Sequence, residues 1–245
     1  MPLPPPFDAR LVATRMLTPH VRELTFERAD GQPMAFEPGQ WVNALLPLAV
    51  GDAPETKRSY SIASAPDGSP RFEIAVTRVQ GGAGSTWLHA MTEGTVLRFS
   101  GPQGFFTRPL ASPPSLFVAT GTGVTPLRSM LRASLSAGAL APTWVLLGVR
   151  HAEDMLYAPE FRALAERHRF VRFEPTLSQP PNDWIGRTGY VQAHVRALWN
   201  ELAAASDVEP HAYVCGLQRM VGSVRDLLRK DMGIARERVH SERYD

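Results

Sequence analysis

The chain has 245 residues, of which 44% are hydrophobic and 20% are charged, and its formal net charge is +2 at pH 7. This length allows one large domain or two ordinary ones, and the composition is that of a globular protein. The near-neutral charge and the lack of a basic run interleaved with aromatic residues argue against nucleic-acid binding. We therefore expect no nucleic-acid partner.

Cys215 is the single cysteine in the sequence. One thiol excludes an internal disulfide, a Cys-ligated zinc site and a Cys-ligated iron–sulfur cluster. The seven histidines form no His-Glu-x-x-His or similar short ligand pair, so we expect no metal site. No apolar run approaches the ~18 residues of a membrane helix, and the Pro-rich start lacks a hydrophobic signal core. These features favour a cytoplasmic protein with no membrane contact.

The first part of the chain is typical of an all-β domain. Strands are predicted at 9–16, 21–28, 41–45, 58–64, 71–79 and 95–100, with a short helix at 87–92. About six short strands with closely spaced turns indicate an antiparallel barrel or sandwich.

The character of the sequence changes at Ala-Ser-Pro-Pro, residues 111–114, which has the composition of a linker. Buried strands are then predicted at 115–119, 143–149, 170–177 and 212–215, alternating with helices at 126–137, 158–167, 191–205 and 218–231. This alternation indicates a doubly wound parallel sheet. We place the domain boundary between residues 110 and 111.

Residues 58–64, Arg-Ser-Tyr-Ser-Ile-Ala-Ser, combine a cation, an aromatic ring and hydroxyls on one predicted strand. Arg suits a diphosphate and Tyr offers a face for ring stacking. Strand alternation puts Arg58 and Tyr60 on one face and Ser59 and Ser61 on the other. A half-buried strand with an exposed Arg and a core Tyr explains the segment equally well.

Two Gly-rich segments lead into predicted helices: Gly-Thr-Gly-Val-Thr-Pro at 121–126 and Gly-Gly-Ala-Gly-Ser-Thr at 81–86. Glycines let backbone N–H groups approach an anion, and a helix N-terminus favours negative charge. Segment 121–126 is not the full dinucleotide fingerprint, because Pro126 stands where the third Gly would be. A tight turn and a hairpin loop remain the alternatives. Cys215 ends a buried strand at the edge where such sheets bind ligands, although a lone Cys is often only a core residue.

Taken together, these segments resemble the ferredoxin–NADP reductase superfamily over nearly the whole chain. The ordered motifs are Arg58-Ser59-Tyr60-Ser61, Gly84-Ser85-Thr86, Gly-Pro-Gln-Gly-Phe-Phe at 101–106, the segment 121–126, Tyr213-Val214-Cys215-Gly216 and Glu242-Arg243-Tyr244. The resemblance implies a two-domain protein: a six-stranded antiparallel β-barrel that binds flavin at 1–110, and an α/β domain with a parallel sheet that binds a nicotinamide nucleotide at 111–245.

The resemblance also implies roles for individual residues. Arg58 would hold the pyrophosphate of a tightly bound FAD, Tyr60 would pack on the isoalloxazine or ribityl chain, and Ser61 would hydrogen-bond near flavin N5. The implied cofactor-binding residues are Arg58, Ser59, Tyr60, Ser61, Gly84, Ser85, Thr86, Thr120, Gly121, Thr122, Gly123, Thr125, Pro126, Arg150, Ser178, Arg187, Cys215, Gly216 and Tyr244. The implied catalytic residues are Ser61, Cys215, Glu242 and Tyr244.

Coenzyme choice and the C-terminus depart from the family pattern in part. Arg150 and Arg187 match positions where NADP-using relatives carry Arg, but Gln179 follows Ser178 where Arg is common. We expect NADP(H) to be favoured and leave NAD(H) open. Tyr244 matches an aromatic residue that covers the flavin in the family, but Asp245 follows it.

The expected function is FAD-dependent hydride transfer from NAD(P)H to flavin N5, followed by single-electron transfer to a partner protein. A fused iron–sulfur domain is excluded by the single cysteine, so the partner would be a separate ferredoxin, flavodoxin or oxygenase component. Two alternatives remain: a reductase that treats free flavin as a substrate, and a flavin-binding regulatory subunit without turnover.

Overall fold

The computed structural model describes residues 5–49 and 55–244, and the chain divides into two compact units. The first unit extends to Arg108 and also includes Arg128–Ala133; the second comprises Pro109–Leu127 and the chain from Ser134 onward. No helix in the described ranges is long and apolar enough to cross a membrane. In the same ranges, no three His, Cys, Asp or Glu side chains are grouped so that they could hold a metal ion.

Six antiparallel strands form the sheet of the first unit in its described residues. They are β1 (Phe7–Thr18), β2 (Val21–Arg28), β3 (Trp41–Leu46), β4 (Thr56–Ser61), β5 (Arg71–Thr77) and β6 (Val96–Gln103), with helix α1 (Ala83–Ala90) between β5 and β6. The strand order is β4-β3-β6-β1-β2-β5. Just beyond β4, Ile62 bridges Ile74 of β5, and this contact closes the sheet into a barrel. The predicted antiparallel barrel is confirmed.

Aromatic side chains fill the barrel because strand alternation sends them to the same side. The rings of Phe7, Phe26, Phe72 and Phe99 form one cluster, in which the Phe99 centroid lies 4.8 Å from that of Phe26 and 5.2 Å from that of Phe72. Edge-to-face packing of buried rings stabilises such a core beyond the burial of apolar area.

In the described part of the second unit, six strands form a parallel sheet in the order β10-β9-β8-β7-β11-β12. The strands are β7 (Ser115–Thr120), β8 (Thr143–Val149), β9 (Val171–Leu177), β10 (Arg187–Thr188), β11 (His211–Leu217) and β12 (Val239–Tyr244). The helices are α2 (Val124–Ser136), α3 (Ala158–Arg167), α4 (Gln192–Ala204) and α5 (Gln218–Asp226), and a π-helical turn at Leu227–Asp231 extends α5. The predicted parallel sheet with alternating helices is confirmed.

Helices cover both faces of this sheet. Val118 of β7 packs in one core with Val195 of α4 and Val221 of α5. On the opposite face, the Phe161 ring of α3 stacks on the Phe173 ring of β9 with 5.2 Å between centroids. Both faces of the central strands are therefore buried, which explains their continuous apolar sequences.

Two strands were missing from the sequence prediction, and several predicted boundaries differ: β4, for example, ends at Ser61 and not at residue 64. Strands β10 and β12 were not predicted; β12 is polar and only half-buried, so it carries no apolar signal. Helix α1 begins at Ala83 and not at the predicted residue 87. Gly84-Ser85-Thr86 thus lies in the first turn of the helix and not in a loop that precedes it.

Phe99→Ala is expected to destabilise the protein by about 3–5 kcal/mol, because it removes a buried ring and leaves a cavity among the other three phenylalanine rings. Phe105→Ala is the matched control, since Phe105 is fully exposed, and should change stability by about 0.5 kcal/mol or less. Urea unfolding monitored by circular dichroism measures both. Equal midpoints for the two variants would contradict this account of the core.

Candidate functional site

Arg58 of β4 lies beside the first turn of helix α1. Gly84 in that turn is buried, and a β-carbon added to it would lie 3.5 Å from Arg58 Nε and 3.0 Å from Leu46 Cδ1. The Arg58 side chain therefore packs directly against the helix N-terminus, where the first N–H groups have no acceptor within the helix. A guanidinium beside such a terminus is suited to bind a phosphate.

The hydroxyl of Ser85 closes the loop that leads into α1. It accepts a hydrogen bond from the Val79 N–H at 3.0 Å and donates to the Gly82 carbonyl at 3.0 Å. This hydroxyl is thus engaged by the protein itself. The predicted contact of Ser85 with a phosphate would be made by its backbone N–H, which lies in the first helical turn.

The remaining polar residues of β4 differ in their surroundings. Ser59 Oγ donates to Asn43 Oδ1 at 2.9 Å, and Asn43 Nδ2 donates to Ser100 Oγ at 3.3 Å, so a polar chain crosses β4, β3 and β6. Ser61 is buried with 6% exposure. Asn43 was not predicted as a site residue. Its position as a polar residue between the apolar Val42 and Ala44 of β3 could have indicated it.

The Tyr60 ring is partly buried against the barrel core. Burial raises the pKa of Tyr60 to about 12, although the neighbouring Arg58 guanidinium acts in the opposite direction. The phenol is therefore neutral at physiological pH and can donate a hydrogen bond.

In the second unit, the Gly-rich turn between β7 and α2 packs closely on the end of β11. The backbone of Gly121 is left-handed, with φ of 51°. A β-carbon at Gly123 would overlap the Cys215 carbonyl, and one at Gly216 would overlap the Thr120 hydroxyl. Glycine at these positions brings the carboxyl ends of two neighbouring parallel strands together, the edge at which such sheets bind nucleotides.

Hydrogen bonds fix the predicted threonines around this turn. Thr125 Oγ1 donates to the Thr122 carbonyl at 2.8 Å, and Thr120 Oγ1 accepts from the Leu217 N–H at 3.4 Å. Pro126 lies in the first turn of α2, where its missing N–H costs no helical hydrogen bond. The turn is thus held by its own side chains; Gly121 is partly exposed, and Gly123 is buried against the end of β11.

Cys215, Glu242 and Tyr244 come together because β11 and β12 pair in parallel, with Cys215 opposite Glu242. Burial raises the pKa of the Cys215 thiol well above its usual range, the Glu242 carboxylate raises it further, and a hydrogen bond with Tyr244 opposes both. The Tyr244 hydroxyl also lies 3.5 Å from Thr125 Oγ1. The thiol stays protonated at neutral pH, so Cys215 is not a thiolate nucleophile. Asp245 lies outside the described residues.

Three residues were predicted to select the coenzyme: Arg150, Ser178 and Arg187. Arg150 follows β8, Ser178 follows β9, and Arg187 is the first residue of β10. The Ser178 N–H donates to the Val149 carbonyl at 3.0 Å, which brings Ser178 close to Arg150 at the ends of β8 and β9. Arg150 is exposed and makes no ion pair with any other described residue.

Arg187 differs from Arg150 in its charge environment. Arg187 Nε lies 2.9 Å from Glu174 Oε2, and the same carboxylate also pairs with Arg172 at 3.0 Å. Part of the Arg187 charge is therefore neutralised by the protein. This ion pair joins residues distant in sequence and could not be predicted from local patterns.

Two family models match the chain, and each falls within one half of it. Residues 8–107 match the oxidoreductase FAD-binding domain and residues 117–226 match the oxidoreductase NAD-binding domain. These matches define an oxidoreductase with an FAD-binding and an NAD-binding domain.

The chain is 62% identical to ferredoxin–NADP reductase B of Sorangium cellulosum over 242 residues, which are 98% of this chain and 98% of that protein. The chain therefore belongs to the ferredoxin–NADP reductase family, as its motifs predicted. It is also 27% identical to the phenol hydroxylase P5 protein of Acinetobacter pittii, covering 97% of this chain and 65% of that protein.

Solved structures share the fold. The ferredoxin NADP+ reductase of Neisseria gonorrhoeae with bound FAD and NADP superposes with a TM-score of 0.82, at 19% identity, over 97% of this chain and 98% of that one. The cytochrome P450 reductase GcoB of Amycolatopsis gives a TM-score of 0.81 at 26% identity, over 98% of this chain and 69% of that one.

Gly84→Val tests whether Arg58 and the first turn of α1 bind a phosphate; we call this proposed site the phosphate cradle. The branched side chain would collide with Leu46 and Arg58, displacing a charge-assisted phosphate contact of about 1.5–3 kcal/mol, so the Kd for FAD should rise about tenfold or more. Gly222→Val is the control, because no atom lies within 4 Å of a β-carbon there. Titration of the apo-protein with FAD, followed by flavin fluorescence, measures both; an unchanged Kd for Gly84→Val would refute the cradle.

Proposed function

We propose that this protein is an FAD-dependent NADPH reductase that delivers electrons to a separate one-electron acceptor protein. The observation that supports the proposal is the packing of Arg58 against the first turn of α1, an arrangement suited to a flavin diphosphate. The oxidoreductase class and the two nucleotide-binding domains are established by family membership. The roles of individual residues, the coenzyme and the acceptor are the proposed part.

In the first unit, Arg58 and the N–H groups of Gly84, Ser85 and Thr86 hold the FAD diphosphate. Tyr60, a neutral phenol, packs along the flavin, and Ser61 donates or accepts a hydrogen bond at its reacting edge. Ser59 is fixed by its bond to Asn43 and keeps the strand in register. Bound FAD would supply the redox chemistry, which is the acceptance of a hydride from the nicotinamide and the release of single electrons.

In the second unit, Gly121–Gly123 with Thr120 and Thr125 bind the diphosphate of the nicotinamide nucleotide. Cys215, Gly216 and Glu242 form the nicotinamide end, where the fully buried Cys215 thiol stays protonated and adds no charge. Positioning of the two reacting atoms supplies much of the catalysis, so no side chain has to act as an obligatory acid or base. Tyr244, whose hydroxyl lies 3.5 Å from Thr125 Oγ1, is the proposed aromatic residue at the nicotinamide end.

NADP(H) is the proposed coenzyme, and Arg150 with Ser178 is the proposed contact for its 2′-phosphate. Arg150 is exposed and carries an uncompensated charge among the described residues, whereas Arg187 shares Glu174 with Arg172. A relative that is 62% identical bears the name ferredoxin–NADP reductase, which supports the same choice. Arg187 contributes to the same contact through the guanidinium N–H groups that do not bond to Glu174.

A ferredoxin is the proposed acceptor, with a flavodoxin or an oxygenase component as outcomes of the test. The name of the Sorangium relative supports a ferredoxin, while a phenol hydroxylase component and a cytochrome P450 reductase are more distant relatives. The single cysteine means that an iron–sulfur acceptor is a separate protein.

Purification and anaerobic reduction test the proposal against its alternatives. The protein should keep one FAD per chain through desalting, and its flavin absorbance should bleach on mixing with NADPH. Loss of all flavin on desalting would instead support a reductase that uses free flavin as a substrate. Retained flavin that neither NADPH nor NADH bleaches would support a regulatory subunit without turnover.

Arg150→Ala is expected to lower kcat/KM for NADPH about tenfold or more and to leave kcat/KM for NADH within about twofold, because the lost contact is to the 2′-phosphate alone. Arg187→Ala should cost less, since Glu174 already holds part of its charge. Arg229→Ala, an exposed Arg on the turn that extends α5, is the control. Equal losses for NADPH and NADH in Arg150→Ala would contradict the assignment.

A further inference from the structure

Arg128 is a buried cation that none of the cofactor assignments uses. It lies on α2, in the stretch Arg128–Ala133 that belongs to the first unit although the helix begins in the second. Its exposure is 2%. Its Nη1 donates to the Ala63 carbonyl at 2.9 Å and to Glu73 Oε2 at 2.6 Å, and Glu23 Oε2 lies 4.0 Å from the same nitrogen. A guanidinium buried to this extent is retained only where acceptors satisfy it.

The two groups that Arg128 joins lie on opposite sides of the barrel closure. Ala63 follows β4, and Glu73 is on β5. The described residues of these strands share a single bridge, Ile62 with Ile74, in place of a full ladder. The Ala63 N–H donates to the Glu73 carbonyl at 2.8 Å, and the Glu73 N–H donates to Ser64 Oγ at 3.2 Å. Arg128 adds a side-chain link across this short contact.

The end of β4 is where this link acts. Ser61 is the last residue of β4 and precedes Ala63 by two positions. Because the described residues of the seam share one bridge, we expect a donor that holds both sides to limit how far Ser61 can move. Displacement of a reacting group by even ~1 Å is costly in rate.

We propose that Arg128 is a positioning residue for the flavin: it ties Ala63 to Glu73 and so fixes the end of the strand that carries Tyr60 and Ser61. The inference deepens the proposed function and rests on it, since it takes β4 to be the flavin-binding strand. Its effect is on flavin geometry and reduction, and nicotinamide nucleotide binding is left unchanged.

Arg128→Lys and Arg128→Gln, compared with Arg15→Gln, test the proposal. Lys keeps the buried charge, but its ammonium on an unbranched stem does not reproduce the position of Nη1, the nitrogen that donates to both Ala63 and Glu73. Arg15 is mostly exposed and pairs with Glu23 of the same network at 2.5 Å, so its removal costs an ion pair but leaves the link between Ala63 and Glu73 intact. Each variant is characterised by apo-protein thermal unfolding, by FAD titration, by visible circular dichroism of the bound flavin and by anaerobic reduction with NADPH.

For Arg128→Lys, we expect an FAD Kd raised about tenfold and a limiting rate of flavin reduction lowered about tenfold, with half-saturation by NADPH within about twofold. Arg128→Gln should lose more in both quantities and should alter the flavin circular dichroism. Arg15→Gln should stay within about twofold of the wild-type protein. A loss that is largest in Arg128→Gln, smaller in Arg128→Lys and smallest in Arg15→Gln supports a positioning role, because Lys then restores part of the lost function.

The proposal is overturned if the folded fraction of both Arg128 variants binds FAD and is reduced like Arg15→Gln, because Arg128 would then serve the fold alone. A wild-type protein that fails to bind FAD, or whose flavin NADPH does not bleach, refutes the proposed function itself. A wild-type protein that is reduced normally while both Arg128 variants match Arg15→Gln refutes only the role of Arg128.

Discussion

The closure of the barrel at the bridge between Ile62 and Ile74 is the constraint on which the FAD-binding unit depends. Closure removes the exposed edges of the six-stranded sheet and encloses the cluster of four phenylalanines. The bridge lies just beyond the end of β4, the strand that carries Arg58, Tyr60 and Ser61. Arg128 links Ala63 to Glu73 across the same seam. In the proposed function, the stability of the barrel and the geometry of the flavin would therefore depend on one structural element.

Both units place a glycine where a helix begins close to another element. A β-carbon on Gly84 would lie 3.0 Å from Leu46 Cδ1 and close to Arg58, and one on Gly123 would overlap the Cys215 carbonyl. A helix N-terminus supplies N–H donors and a favourable field for an anion. The two proposed phosphate sites differ in the cation, because Arg58 lies beside the first while the second would rely on backbone and hydroxyl groups.

Sequence periodicity was sufficient for the main elements, and ordered motifs were sufficient for the family. The apolar runs of β7 and β8 and the alternation of β5 follow directly from burial on two faces or on one. Strand β12 could not be predicted in this way, because it is polar and half-buried and is held by pairing with β11. The π-helical turn after α5 lies within the predicted helix and differs only in its hydrogen-bond pattern.

The contacts at the site that the sequence motifs did not predict are mostly interactions between residues distant in sequence. An Arg on a helix ordinarily indicates a solvated face, so the burial of Arg128 against Ala63 and Glu73 was not predicted. The pairing of Arg187 with Glu174 depends on the register of two strands, and the engagement of the Ser85 hydroxyl depends on the turn at Gly82. Such contacts follow from tertiary packing and modify how strongly each motif residue can bind its ligand.

Stereospecific deuterium labelling of NADPH at nicotinamide C4 tests the central claim, direct hydride transfer from the nicotinamide to the bound flavin. Anaerobic stopped-flow absorbance measures the limiting rate of flavin bleaching with each of the two labels. The account predicts that one label slows bleaching while the other leaves it close to the unlabelled rate, because a fixed ring orientation presents only one hydrogen. Bleaching that neither label slows, or an unbleached flavin, would contradict it.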